Sequence, residues 1–230
     1  MERLNQKDWR LLAACVLVIA VSGLVTARLF RRAFPEATIE FRVNREGARR
    51  VAEALLKERG RDIGGHRFAG RFEVADTPKV YLERTLGLEK AGRLYGRDAK
   101  VWLWEMRWFR SGVKEEEQVA VSPLGELVSW ESVRREDAPG ARLPQEAARA
   151  LAVRFLEGRG LPAASLEPIE ATPQSRPKRT DWTFVDEKRG LRMGEATVRY
   201  ATTVAGGEVA AFREFVHVPE AWTRDYERLR

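Results

Sequence analysis

At 230 residues, 44% apolar and 33% charged, the chain is long and apolar enough to bury one or two cores. Its formal charge of +7 suggests a nucleic-acid partner, but residues 1–32 alone hold six Lys/Arg against two Asp/Glu, so most of the surplus flanks one apolar run. The rest alternates in sign (Glu58-Arg59, Glu83-Arg84, Arg135-Glu136) without zinc-finger, helix-turn-helix or RNP patterns, which argues against nucleic acid; the single cysteine, Cys15, argues against disulfides and a thiolate metal site.

The first element is the run from Arg10 to Arg32, which has three readings. Leu12-Ala13-Ala14-Cys15 spells a lipobox, but the apolar residues that should precede such a cysteine follow it. Val25-Thr26-Ala27 offers small or apolar residues to a signal peptidase. The uncharged stretch Leu11 to Ala27, extended through Leu29 and Phe30 with Arg28 snorkelling, makes about 30 Å of helix, long for a cleaved signal and right for an uncleaved anchor. The positive-inside comparison ties, with Arg3, Lys7 and Arg10 before the span and Arg28, Arg31 and Arg32 after it. The short basic leader places the N-terminus in the cytoplasm and the bulk of the chain outside, on a cell membrane whose lipid bilayer is a partner.

Behind the anchor the chain repeats itself at an offset of 100. Residues 47–60 and 147–160 match at Ala48/Ala148, Arg49/Arg149, Ala52/Ala152, Leu56/Leu156, Arg59/Arg159 and the terminal glycines. Each is a short amphipathic helix stopped by Gly60 or Gly160, the second admitting Pro144 in its first turn. Pro78 to Leu94 offers room for another short helix. The period then changes to two: Lys100 to Arg110 reads as a strand, and Gln118–Val121 with Glu126–Val133 as a hairpin. The second copy answers with Asp181–Val185, Ala196–Thr203 and Glu208–Val216, with Gly125-Glu126 and Gly207-Glu208 at the same place in the two hairpins. Ala138 to Ala141 is the natural joint. The expected architecture is α+β: residues 1–33 as leader and anchor, 34–137 as a first helix-plus-antiparallel-sheet unit, and 138–230 as a second, ending in an amphipathic helix opened by Pro219.

Candidate sites are few. His66 and His217 lack metal-ligand spacing, and Ser111-Gly-Val-Lys114 matches an acyl-enzyme pattern without its companion motifs or helix. Glu115 to Glu117 could hold a cation, though a solvated hairpin start is the plainer reading. Trp102, Trp104, Met106 and Trp108 line one face of a strand, as a core layer under the helix or as an exposed platform for peptide or sugar. The candidate partner or lipid contacts are the basic cluster Arg176, Lys178 and Arg179, and the tail residues Trp222, Arg224, Tyr226 and Arg228. On that tail Trp222, Tyr226 and Leu229 share a face that lies either on a bilayer surface or against the second unit.

A helix followed by a meander whose hairpin turn ends in Gly-Glu resembles the PepSY-like, cystatin-type modules of secreted peptidase propeptides and membrane regulators. One apolar span, two such modules, "RPKRTDWTF" at Arg176 to Phe184 and "FVHVPEAWTRDYERLR" from Phe215 together resemble the N-terminal region of long CAAX-type (CPBP) intramembrane metalloproteases. The resemblance implies a non-catalytic front end that binds a peptide or protein, or restrains the protease behind it. Any zinc or other divalent metal would belong to that further region. The family's Glu-Glu-x-x-x-Arg motif is missing, since Glu116-Glu117 is followed by Gln118-Val119-Ala120-Val121, so no catalytic residue and no cofactor is expected within this chain. A stand-alone single-pass sensor or adaptor of the cell envelope is the alternative reading, and a hydrolase with an unrecognised site a third.

Overall fold

The computed structural model describes residues 5–34, 36 and 39–229, without the side chains of residues 31–33. Arg3 and Arg230 lie outside the described residues, as do the side chains of Arg31 and Arg32. Helix α1 (Gln6–Ala33) opens on a capping box in which Asn5 accepts from Gln6 and the Asp8 carboxylate accepts from the Asn5 N–H at 2.8 Å. Its Gln6–Phe30 stretch has a mean hydropathy of 2.2 and buries nothing against the rest of the protein. That helix is long and apolar enough to cross a bilayer.

Helix α2 (Arg45–Glu58) begins at Asn44, whose side chain accepts from the Gly47 N–H at 2.8 Å, and ends at Gly60, at φ +65°. It buries Ala48, Ala52 and Leu56. Strand β1 (Arg67–Val74) follows and pairs with β2 (Trp102–Phe109) over its whole length. Between them lie two helices rather than one: α3 (Asp76–Leu86) and α4 (Leu88–Leu94), divided at Gly87, whose φ of +79° no ordinary side chain adopts without strain. Strands β3 (Glu116–Val121) and β4 (Leu127–Val133) complete the first meander. The second unit repeats the plan with α5 (Gln145–Gly158), β5 (Leu166–Arg176), β6 (Arg179–Met193), β7 (Ala196–Ala205) and β8 (Glu208–His217), then α6 (Glu220–Arg228).

The strands form one antiparallel sheet, in the order β1-β2-β3-β4-β8-β7-β6-β5. The two meanders are thus joined through their last strands, where Ser129, Trp130 and Glu131 pair with Arg213, Phe212 and Ala211. One face is apolar and carries α2 and α5. Trp102, Met106 and Trp108 on that face are 3% exposed or less, so the tryptophan stripe is core. Trp104 is only half-buried; its indole N–H donates to the Val43 carbonyl at 3.2 Å and its ring packs on Phe72. The opposite face is polar, and its charges pair across strands, as Arg71 with Glu105 and Arg107 with Glu116.

The joint is a clasp rather than a loose hinge. Arg179 is 3% exposed; its guanidinium donates to Asp181 at 2.8 Å and to the carbonyls of Arg135, Glu136 and Ala138. Gly140 approaches Gly206 so closely that a Cβ on either residue would meet the other's Cα under 3.0 Å.

Candidate functional site

The expected contact residues do not come together. Arg179 is interior, because only a long guanidinium can satisfy three linker carbonyls at once, which corrects its reading as a surface cation. Arg176 leans on Asp181 and Gln174, leaving Lys178 as the exposed cation of that turn. The tail helix lies at the other end of β6, where α3 meets the β6–β7 turn through the Glu195 N–H, which donates to the Tyr81 hydroxyl at 2.9 Å. Its aromatic face is turned to α3. Trp222 meets Tyr81 edge-on at 5.1 Å, and the Tyr226 hydroxyl donates to Asp76 at 3.2 Å with Arg84 over its ring. Arg224 and Arg228 remain exposed, the latter 3.7 Å from Asp225.

Of the remaining candidates, the glutamates are absorbed by the fold. Glu116 and Glu117 are buried instead of solvated. Glu116 accepts from Arg107 and Gln118, and Glu117 accepts from the Trp130 indole at 3.1 Å and the Ser132 hydroxyl at 2.7 Å. Ser111 and Lys114 sit in an exposed turn where Lys114 pairs with Glu136. His66 lies 3.3 Å from its neighbour Gly64's carbonyl. Among the described residues no three His, Cys, Asp or Glu side chains converge in a group that could hold a metal ion.

What the fold does build is a cleft of about 460 Å³ where the C-terminal ends of α2 and α5 meet above the joined strands. Leu55, Glu58 and Arg59 line one side, and Arg154, Phe155 and Arg159 the other. Arg59 and Arg159 are repeat equivalents, each the C-cap residue of its helix. Arg59 stacks 4.4 Å above the Trp130 ring and 4.6 Å from Phe155, while Arg159 stacks 4.9 Å above Phe212. Trp130 and Phe212 are themselves direct partners across β4 and β8. The pattern is therefore two-fold: two aromatic rings, each roofed by a guanidinium from its own module.

Neither guanidinium has a carboxylate within 4.0 Å among the described residues, and the Nε atoms of both are buried without a hydrogen-bond partner. Burial pushes both below the usual arginine value, and for Arg59 the neighbouring Arg159 and Arg61 act in the same direction against Glu58. Both stay protonated, as guanidinium does in proteins. Arg61, next to this pair, is held by Glu208 at 3.1 Å. The polar lining of the cleft is Glu58, Arg59, Arg154 and Arg159. The repeat match at Arg59/Arg159 carried the signal for these residues, but only the pairing of β4 with β8 brings them side by side.

No protein-family model matches the chain, and no curated protein matches it in sequence. Among solved structures it is similar to the C-terminal domain of YpeB from Bacillus megaterium, at 15% identity and a TM-score of 0.45. The alignment covers 76% of this chain and 64% of that one, so it spans less than two thirds of that domain.

Proposed function

We propose that the chain is a membrane-anchored, extracytoplasmic binding or regulatory region, built of two PepSY-like modules and acting by holding a peptide or protein partner rather than by catalysis. The cleft between the equivalent helix ends carries this reading. It is preformed and cationic, with Leu55 and the Phe155 ring on its walls, which is the composition of a recognition site. The anchor α1 supports the membrane part, and its short basic leader supports the outward orientation.

Two measurements test it. A reporter active only in the periplasm, fused after Val133, should be active; activity only from a cytoplasmic reporter overturns the orientation. A photo-crosslinking side chain at position 154 on the cleft rim should give discrete adducts in cells, and one at position 167 on the outer strand should not. Equal labelling at both positions, or none at 154, removes the cleft as the binding site. Attachment to an intramembrane metalloprotease is a finer reading that rests on resemblance in layout alone. Membrane helices with a Glu-Glu pair encoded behind Arg230 would support it, and a stop codon there would sink it.

A further inference from the structure

Resting on the proposed role of the inter-module cleft, we infer that its ligand is the carboxylate of an acidic peptide segment flanked by apolar side chains. The first support is how exceptional the Arg59 and Arg159 pair is in this fold. Other arginines drawn into the structure are given acids: Arg149 has Asp186, Arg179 has Asp181, and Arg61 and Arg134 have Glu208. Arg59 and Arg159 have no such contact: the carboxylates that act on them, Glu58 on both and Glu126 and Glu214 on Arg159, make no ion pair with either. Two like charges held side by side favour an anion between them.

Stabilisation of helix ends is the structural alternative, and the geometry argues against it. An arginine that caps a helix donates to that helix's terminal carbonyls. Arg159 instead donates to Leu127 of the sheet at 3.3 Å, and Arg59 makes no side-chain hydrogen bond to a helix carbonyl. Trp130 and Phe212 lie under the two guanidiniums and each Nε is buried, so it is the Nη side of each group that is left to donate outward. An edge with two parallel N–H groups matches a planar carboxylate. Within the lining three guanidiniums oppose Glu58 and two helix C-termini of roughly half a negative charge each, and Glu126 and Glu214, which also act on Arg159, are themselves held by Lys100. Leu55 and Phe155 make its two walls apolar, which suits side chains on either side of the acid and gives a free inorganic anion nothing to pack on.

The test uses the full chain in nanodiscs of neutral phosphatidylcholine and a fluorescent peptide of alternating Leu and Glu, beside the same peptide with Gln for Glu. Polarisation should show the acidic peptide binding and the Gln peptide about tenfold or more weaker. Arg59→Gln and Arg159→Gln should each cost about tenfold, with melting recorded to confirm the fold. Arg154→Glu reverses an exposed rim charge without touching the core, so it keeps the test decisive if the buried variants unfold; it too should weaken binding. Arg107→Gln, on the opposite face, should leave affinity unchanged. Equal binding of both peptides, no binding, or affinity that survives Arg154→Glu overturns the inference. So does complete displacement by millimolar phosphate, or binding that appears only on anionic vesicles. Adducts at position 154 that persist in cells despite such a result would preserve the binding role and remove only this ligand class.

Discussion

Single residues here do what their polar atoms can reach. Arg179 could be read in sequence only as one of three clustered cations, because neither spacing nor composition shows that a linker will cross above it. Buried with Asp181, it ties both modules to that linker, and Arg179→Ala would leave a buried carboxylate and three carbonyls short of their donor. A loss of about 3–5 kcal/mol is expected in urea unfolding, and a change within about 0.5 kcal/mol would show that the clasp holds nothing. His217 offers a second residue-scale test. Burial, aided by Arg199, lowers its pKa against the opposite pull of Glu187 and Glu220. The unfolded chain therefore binds the proton more readily than the folded one. The contribution of His217 to stability is complete above about pH 6.5 and is lost as pH falls from there through the lower folded value. His217→Gln should flatten that part of the stability profile; an unchanged slope would assign it to other groups.

At the scale of elements, the helices and central strands were legible and the outer strands were not. α2 and α5 announce themselves by period and stop glycine. β1 hides because Gly70 interrupts the alternation of Phe68, Phe72 and Val74, and β5 because it is an exposed edge carrying Pro168 and Pro173. Such an edge has no apolar face for a pattern to report. The linker shows the opposite case, an unpatterned stretch with strict geometry. Gly140→Ala would drive a Cβ to 2.6 Å from the Gly206 Cα, and a loss of about 1–3 kcal/mol in chemical denaturation is expected. The tail helix is held by contacts with α3, so Trp222→Ala should release it and speed tryptic cleavage after Arg224. Unaltered cleavage would mean that the α3 contact does not hold α6.

For the molecule as a whole, the consequence of the β4–β8 pairing is that two repeats share one sheet. The larger core cluster crosses the joint, running from Trp102 and Trp130 to Phe212 and Tyr200, while Ala148, Ala152, Phe184 and Val204 form a second one under α5. Unfolding should therefore be cooperative across both modules. Trp130→Ala, which removes a ring 1% exposed, should cost about 3–5 kcal/mol and reduce amide protection in β6 and β7 as well as in β3 and β4. Protection lost in the first module alone would show that the modules unfold independently. The anchor is a separate matter, since the Gln6–Phe30 span is unburied by the rest of the chain and its surroundings are set by composition.

The sequence alone carries the α+β class, the apolar helix, the repeat and the one-sidedness of the tryptophan strand, because each is written in local periodicity and in the placement of glycines. It could not determine that two sheets become one, that Glu116 and Glu117 are interior, or that α6 turns its rings to an insertion in the first module. Those outcomes depend on pairs far apart in the chain, such as Trp130 with Phe212 and Trp222 with Tyr81. The cleft belongs to both levels. Arg59 and Arg159 were visible as matching letters 100 residues apart, but only the closing of β4 on β8 places their guanidiniums together, since no local pattern encodes the distance between two helix ends.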